Sequence, residues 1–276
     1  MAKIVSTGRT ISLEEYHNKR VCERRRRFFL WFTLVFLLVV ALVLISRIEK
    51  IQISDIQVEG AKVVAEEDVR QSVLRILSGR YFWLVPKGNV ALYPRAEIEE
   101  NLAREFSRFS DVALSLEGLE RLVVSVVERE PFALYCPPED AKCFFLDESG
   151  FIFGEAPDFS GAVYFIYSME PPLENPKGRE FLPEEEFSAL SDFLEMLSSL
   201  GFKPVSLMSL ERGFDITMKN GSRMLLPEAA DLAPLALNLE SFLKSENIAS
   251  QKNFLDEVFL LDLRTKNKIF YRFRGE

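Results

Sequence analysis

Residues Phe28 to Ile45 read FFLWFTLVFLLVVALVLI, 18 consecutive residues without a charged side chain. At about 1.5 Å of rise per residue, such a run makes a helix near 27 Å long, close to the roughly 30 Å hydrocarbon core of a bilayer. A buried core helix is one competing reading, and the apolar core of a secretory signal peptide is another. Signal-peptide cores run about 7 to 15 residues and end at a small-residue cleavage site. Here the run is longer and leads into Ser46, Arg47, Ile48, Glu49 and Lys50. Residues 28–46 are therefore read as an uncleaved transmembrane helix.

The flanks orient it. Residues 1–27 carry Lys3, Arg9, Lys19, Arg20 and Arg24 to Arg27 against Glu14, Glu15 and Glu23, a net of +5. Positive charge beside a span stays on the cytoplasmic side. This makes residues 1–27 a basic cytoplasmic tail of disordered or transiently helical character and puts everything from residue 47 onward outside. Subtracting the tail's +5 from the chain's −8 leaves −13 for residues 28–276. An acidic exterior argues against nucleic acid, which is bound by basic faces. The Arg24 to Arg27 run is explained by topology and by anionic headgroups of the lipid bilayer.

The exterior is long enough for two cores. In the first half, Ile51 to Val58 alternates as a strand. Val69, Val73, Ile76 and Leu77 share one helical face, with Glu66, Glu67 and Asp68 in the first turn and Gly79 as a stop. Phe82 to Val85 form a short apolar link cut by Pro86, and a second helix starts near Pro94 and buries Ile98, Leu102 and Phe106. Val112 to Leu116 and Arg121 to Glu128 read as strands. The order βααββ over residues 50–128 describes a small sheet with helices on one face.

From residue 129 onward, short strands at Ala133 to Tyr135, Cys143 to Leu146, Phe151 to Phe153 and Val163 to Tyr167 precede an amphipathic helix from Pro183 to Leu200. Gly213 to Lys219 and Ser222 to Leu226 form a hairpin around Asn220-Gly221. A helix from Glu228 to Asn247 follows, then strands at Glu257 to Arg264 and Ile269 to Phe273. Residues 129–276 thus make a mainly antiparallel β domain with two helices, and the whole chain is α+β. Cys136 and Cys143 share the outer compartment, where disulfides persist. A disulfide closing a hairpin loop and two free thiols are both open readings of that pair.

Catalytic patterns are missing from this sequence. The only histidine, His17, lies in the tail, so Ser-His-Asp and Cys-His catalysis in their usual form have no partner outside. No phosphate loop, zinc pattern or dinucleotide fingerprint appears, so neither a cofactor nor a metal is expected. Glu184, Glu185 and Glu186 read as a dipole-favourable first turn rather than as glycosidase carboxylates. The chain is expected not to be an enzyme.

Together these features resemble a known family. A basic tail and one span lead into a βααββ module ending in Glu128-Arg129-Glu130-Pro131-Phe132-Ala133. Phe145-Leu146-Asp147-Glu148-Ser149-Gly150-Phe151-Ile152-Phe153 follows, then Leu261-Asp262-Leu263-Arg264. In that order they resemble the bacterial cell-division proteins of the FtsQ/DivIB family. The resemblance implies a POTRA domain at 50–128 and the family's β domain at 129–276. It implies a single-pass inner-membrane protein of the division septum, a non-catalytic bridge that binds an FtsB/FtsL-like pair and helps control septal peptidoglycan synthesis. Other divisome proteins would meet the POTRA domain and the span.

In this family the partner adds a strand at the C-terminal edge. By position that edge is Lys266, Asn267, Lys268, Ile269, Phe270, Tyr271, Arg272 and Phe273. The residues agree, since a terminal strand rich in aromatics is a template for another strand. The Cys136/Cys143 pair matches no family feature, and the chain has almost no tail after its last strand. Two other functions compete: a POTRA-containing chaperone-like accessory in outer-membrane protein insertion, and a membrane-anchored cell-wall hydrolase.

Overall fold

A computed structural model describes residues 13–138, 142–161, 163–227, 232–251, 253–266 and 268–275, with side chains in the first helix from residue 25. The protein is mixed α+β, with one N-terminal apolar helix and a large sheet. It packs as two units, one within residues 1–59, 66–99 and 113–125, the other within residues 60–65, 100–112 and 126–276.

The first helix, α1 (Leu13–Ser46), starts ahead of the apolar run, where the sequence predicts at most transient helix. Residues 13–27 are rich in Arg and Glu, both good helix formers. Joined to an already formed helix, they escape the cost of nucleation. Within α1, Arg25–Ser46 is long and apolar enough to cross a membrane, and its apolar window is not buried against the rest of the protein.

A 3-10 turn at Glu49–Ile51 then leads into β1 (Asp55–Glu59). The strand predicted over Ile51 to Val58 is therefore displaced. Ile53 donates its N–H to Gly88 O and accepts no place in the main ladder, while Val90 donates to Ile51 O and Gln52 bridges Asn89. Residues 51–53 thus pair with the 88–90 loop, and β1 begins only where the chain reaches the main sheet. After β1 come α2 (Glu66–Leu77), β2 (Arg80–Tyr81), β3 (Val85–Pro86), α3 (Arg95–Glu105), β4 (Phe109–Glu117) and β5 (Arg121–Glu128). The supposed link at 82–85 is in fact a two-stranded hairpin, β2 against β3, with Phe82 and Trp83 at its tip. The larger three-stranded sheet has the order β1-β5-β4, with β1 and β5 parallel. β5 lies between β1 and β4, and its Leu122, Val123, Val124 and Val126 are all buried, as in a central strand covered on both faces.

The second unit is built on β6 (Ala133–Tyr135), β7 (Phe144–Leu146), β8 (Phe151–Glu155), β9 (Ile166–Met169), β10 (Arg179–Glu180), α4 (Glu184–Ser199), β11 (Pro204–Leu210), β12 (Gly213–Met218), β13 (Arg223–Leu226), α5 (Leu232–Leu243), α6 (Glu246–Ala249), α7 (Phe254–Glu257), β14 (Val258–Asp262) and β15 (Phe270–Phe273). Among the described residues its strands form one ten-stranded sheet, ordered β10-β8-β7-β6-β9-β11-β12-β13-β14-β15. Most pairings are antiparallel, with parallel joins at β6 to β9, β9 to β11 and β13 to β14. The core joins Tyr135, Leu146 and Tyr167 of the sheet to Phe187, Leu190 and Leu197 of α4. These three helix positions recur at helical spacing, as the amphipathic reading requires.

Several elements differ from the sequence expectation. β11 has no counterpart in it, because Pro204 heads a run, PVSLMSL, with little alternation; its strand character comes from partners on both sides, β9 and β12. The helix expected from Glu228 to Asn247 is split into α5 and α6, because Ser245 adopts an extended backbone (φ −65, ψ 144); residues 228–231 lie outside the described residues. The strand expected from Glu257 begins at Val258 after the four-residue α7, and the strand expected from Val163 begins at Ile166.

Cys136 and Cys143 are joined by a disulfide, with Cα atoms 4.3 Å apart, across the β6–β7 connection. The bond closes a loop inside which residues 139–141 lie outside the described residues. A short closed loop restricts the unfolded chain modestly. The Cys136→Ser/Cys143→Ser double variant is therefore expected to lose about 2 kcal/mol, read as a lower urea midpoint.

Candidate functional site

The two ends of the ten-stranded sheet are unlike. At one end β10 is two residues long and consists of Arg179 and Glu180, both exposed. A short, charged edge is a poor template for a further strand. At the other end β15 carries Phe270, Tyr271, Arg272 and Phe273, and no described strand pairs with its outer side. This edge strand is twice as long and carries a single charge, Arg272, among three aromatics.

The register fixes which backbone groups face outward. Leu263 donates its N–H to Leu225 O on β13. Amide direction alternates along a strand, so Leu260 and Asp262 turn their amides toward β15. Their opposite numbers are Arg272 and Phe270, which become the hydrogen-bonded pairs of the β14–β15 ladder. Arg274 N–H donating to Glu257 O keeps the same phase. The N–H and C=O of Tyr271 are left pointing away from β14.

Side chains alternate in step. Tyr271 packs its ring against Phe242 of α5 and Phe254 of α7, with centroids 5.7 and 5.6 Å away, and Phe273 also meets Phe254. On the opposite face Phe270 is 55% exposed, and the Arg272 guanidinium lies over the Phe259 ring. Ile269 is half-buried and Lys266 and Lys268 are exposed; Lys268 N–H closes a turn on Thr265 O. Asn267, predicted as part of the site, lies outside the described residues. A depression of about 330 Å³ flanks the strand's start, between Leu235, Phe242, Leu263, Thr265, Lys268 and Ile269.

The Leu261-Asp262-Leu263-Arg264 motif shapes the corner before this edge. Both Asp262 carboxylate oxygens accept from Arg264, at 2.9 Å from Nε and 2.6 Å from Nη2, and one also accepts the Arg264 N–H. The Arg264 side chain is the chief reason the Asp262 carboxyl sits below its ordinary range, against the opposing push of burial.

The two other motifs quoted from the sequence meet each other. Arg129 pairs with Asp147 and lies 4.1 Å over the Phe151 ring. Asp147 Oδ1 also accepts from the N–H groups of Ser149 and Phe151 and from the Ser149 hydroxyl, so one aspartate holds its own turn and the exit of β5. Glu128 accepts the N–H groups of Lys62, Val63 and Val64 at 2.9 to 3.1 Å and the Arg108 guanidinium at 3.2 Å. These are structural contacts. Spacing in sequence flagged the residues but not their partners, which are up to 66 residues away. The support of Tyr271 by Phe242 and Phe254 was likewise illegible, because α7 is too short to show a period.

Among the described residues, no group of three or more His, Cys, Asp or Glu side chains stands close enough together to hold a metal ion. Compared with known protein-family models and with curated proteins, the sequence matches none.

Proposed function

We propose that the chain is a single-pass membrane protein whose exterior captures a partner by adding the partner's strand to β15. It is a binding scaffold rather than an enzyme. More narrowly, we propose a divisome bridge of the FtsQ/DivIB type, with a POTRA module at 50–128, that recruits an FtsB/FtsL-like pair to the septum and helps control peptidoglycan synthesis there.

The observation that carries this reading is the contrast between the blunted edge at β10 and the aromatic edge at β15, with the Tyr271 amide turned outward. β-Augmentation needs such outward backbone groups for affinity and alternating side-chain positions for specificity. The resemblance noted in the sequence supplies the partner class. Charge supports a polar component: from Arg264 to Arg274 the chain has five Lys/Arg and no acid, within an exterior that is acidic overall. An acidic partner strand would associate faster at low salt.

The test is Phe270→Glu. Because Phe270 projects from the sheet, the variant is expected to keep its thermal midpoint while binding an FtsB-like segment about 10- to 30-fold more weakly, the loss typical of an aromatic hot spot. Recruitment to midcell should fall with it. Unchanged binding and placement would reject β15 as the site. Tyr271→Pro removes the outward N–H and is expected to reduce binding as well, with some loss of stability from the Phe242 and Phe254 contacts.

A further inference from the structure

The β2–β3 hairpin presents two large apolar side chains that nothing in the described protein covers. Phe82 is 92% exposed and Trp83 88% exposed. Both sit at positive φ, 47° and 62°, as the central residues of a turn closed by Leu84 N–H on Tyr81 O. That backbone region favours Gly, Asn and Asp, and bulky aromatics occupy it at a cost. The fold therefore holds two aromatic rings out at a strained tip without burying either.

Where the tip sits identifies what it meets. Arg47, the first residue after α1, donates Nε and Nη2 to Leu84 O at 3.3 and 3.2 Å. Asn89, just past the hairpin and buried, donates Nδ2 to the carbonyl of Ser46, the last residue of α1, at 3.2 Å. Three hydrogen bonds thus pin the hairpin to the end of the apolar helix. Leu84, next to the rings in sequence, and Ile48, next to Arg47, are exposed as well, and exposed Arg47, Lys50 and Arg80 lie on the same segments. Tryptophan with neighbouring basic residues, held at the end of a membrane helix, is the chemistry of the headgroup layer.

We propose that Phe82 and Trp83 insert into the outer headgroup region of the bilayer that α1 spans, as a second, folded membrane contact that fixes the first unit against the lipid surface. This rests on α1 being a membrane span. The occupant is lipid rather than protein because the hairpin is tied through Arg47 and Asn89 to the last turn of α1, whose own apolar surface is uncovered.

The chain has two tryptophans, which makes the test direct. Full-length Trp31→Phe protein, with Trp83 as its only tryptophan, is reconstituted into phosphatidylcholine/phosphatidylglycerol vesicles carrying nitroxide labels at shallow or deep acyl positions. Trp83 emission is expected to be blue-shifted, quenched more by the shallow label than by the deep one, and shielded from aqueous acrylamide. Full quenching by acrylamide with no effect of either lipid label would overturn the proposal. So would shielding from acrylamide without lipid quenching, which would mean that a second copy or another protein covers the tip. Trp83→Phe protein, reporting from Trp31, separates the two levels: lipid quenching of Trp31 shows that the span stands even if the hairpin proposal fails, and its absence removes both.

Discussion

Gly60→Ala is expected to be among the most destabilising single substitutions in the chain, costing about 4 kcal/mol against a typical total of 5–15. Gly60 ends β1 at φ +89°, a conformation that L side chains avoid, and a Cβ there would lie 2.0 Å from Val126 O. The obstructing atom is backbone in the central strand of a sheet, so it cannot swing aside as a flexible side chain would. Gly118→Ala is the control. Its φ is +72° but nothing stands within 4 Å of the added carbon, so it bears the conformational cost alone, about 1 kcal/mol. Urea unfolding of the two variants in the same detergent measures the difference. Equal losses would show that the approach of Gly60 to Val126 is not tight.

Glu128 carries the second large effect. Its side chain is 4% exposed, and it is the acceptor for three consecutive backbone N–H groups and for Arg108. Removing it strands those donors, so Glu128→Ala is expected to cost about 3 kcal/mol, whereas Glu128→Gln, which keeps one acceptor oxygen, is expected to cost about 1–2. The loss should depend on pH. Burial alone pushes the carboxyl up, but the N–H groups of Val64, Val63 and Lys62 together with Arg108 outweigh it and hold the group below the ordinary glutamate value of 4.5. A carboxyl lowered in the folded state contributes stability that is complete above the unfolded value and disappears as pH falls through the folded one. Wild type should therefore lose more stability than Glu128→Ala when the pH is taken from 6 to below 4, and the two unfolding curves should converge. Parallel curves would mean that Glu128 is not the group being titrated. Gly60 and Glu128 act on the same short segment before α2, so the double variant is expected to cost less than the sum of the singles.

Residues with a local signature were legible. Phe28 to Ile45 announce, by length and lack of charge, a helix long and apolar enough to cross a membrane. Phe187, Leu190 and Leu197 announce α4 by their spacing, and Asn220-Gly221 announces the β12–β13 turn. Glu128, Arg129 and Asp147 stood out only as parts of short motifs, and their roles appear when strand exit and turn are brought together. The aromatic content of the last strand was visible as well. That it lies at an end of the sheet, with Tyr271 directing its amide outward, depends on strand order and register, which no single segment encodes.

What the sequence by itself determined is therefore whatever a few neighbouring residues can specify: the apolar helix, the charge asymmetry across it, the amphipathic helices, the tight turns and the α+β character. Tertiary structure alone decided that PVSLMSL is a central strand, that residues 51–53 pair with the 88–90 loop, that Phe82 and Trp83 cap a hairpin pinned to the helix end, and that one sheet edge is blunt while the other is not. The physical reason is that helix and turn preferences come from hydrogen bonds and rotamers within a few residues, whereas a strand's place is set by partners far along the chain.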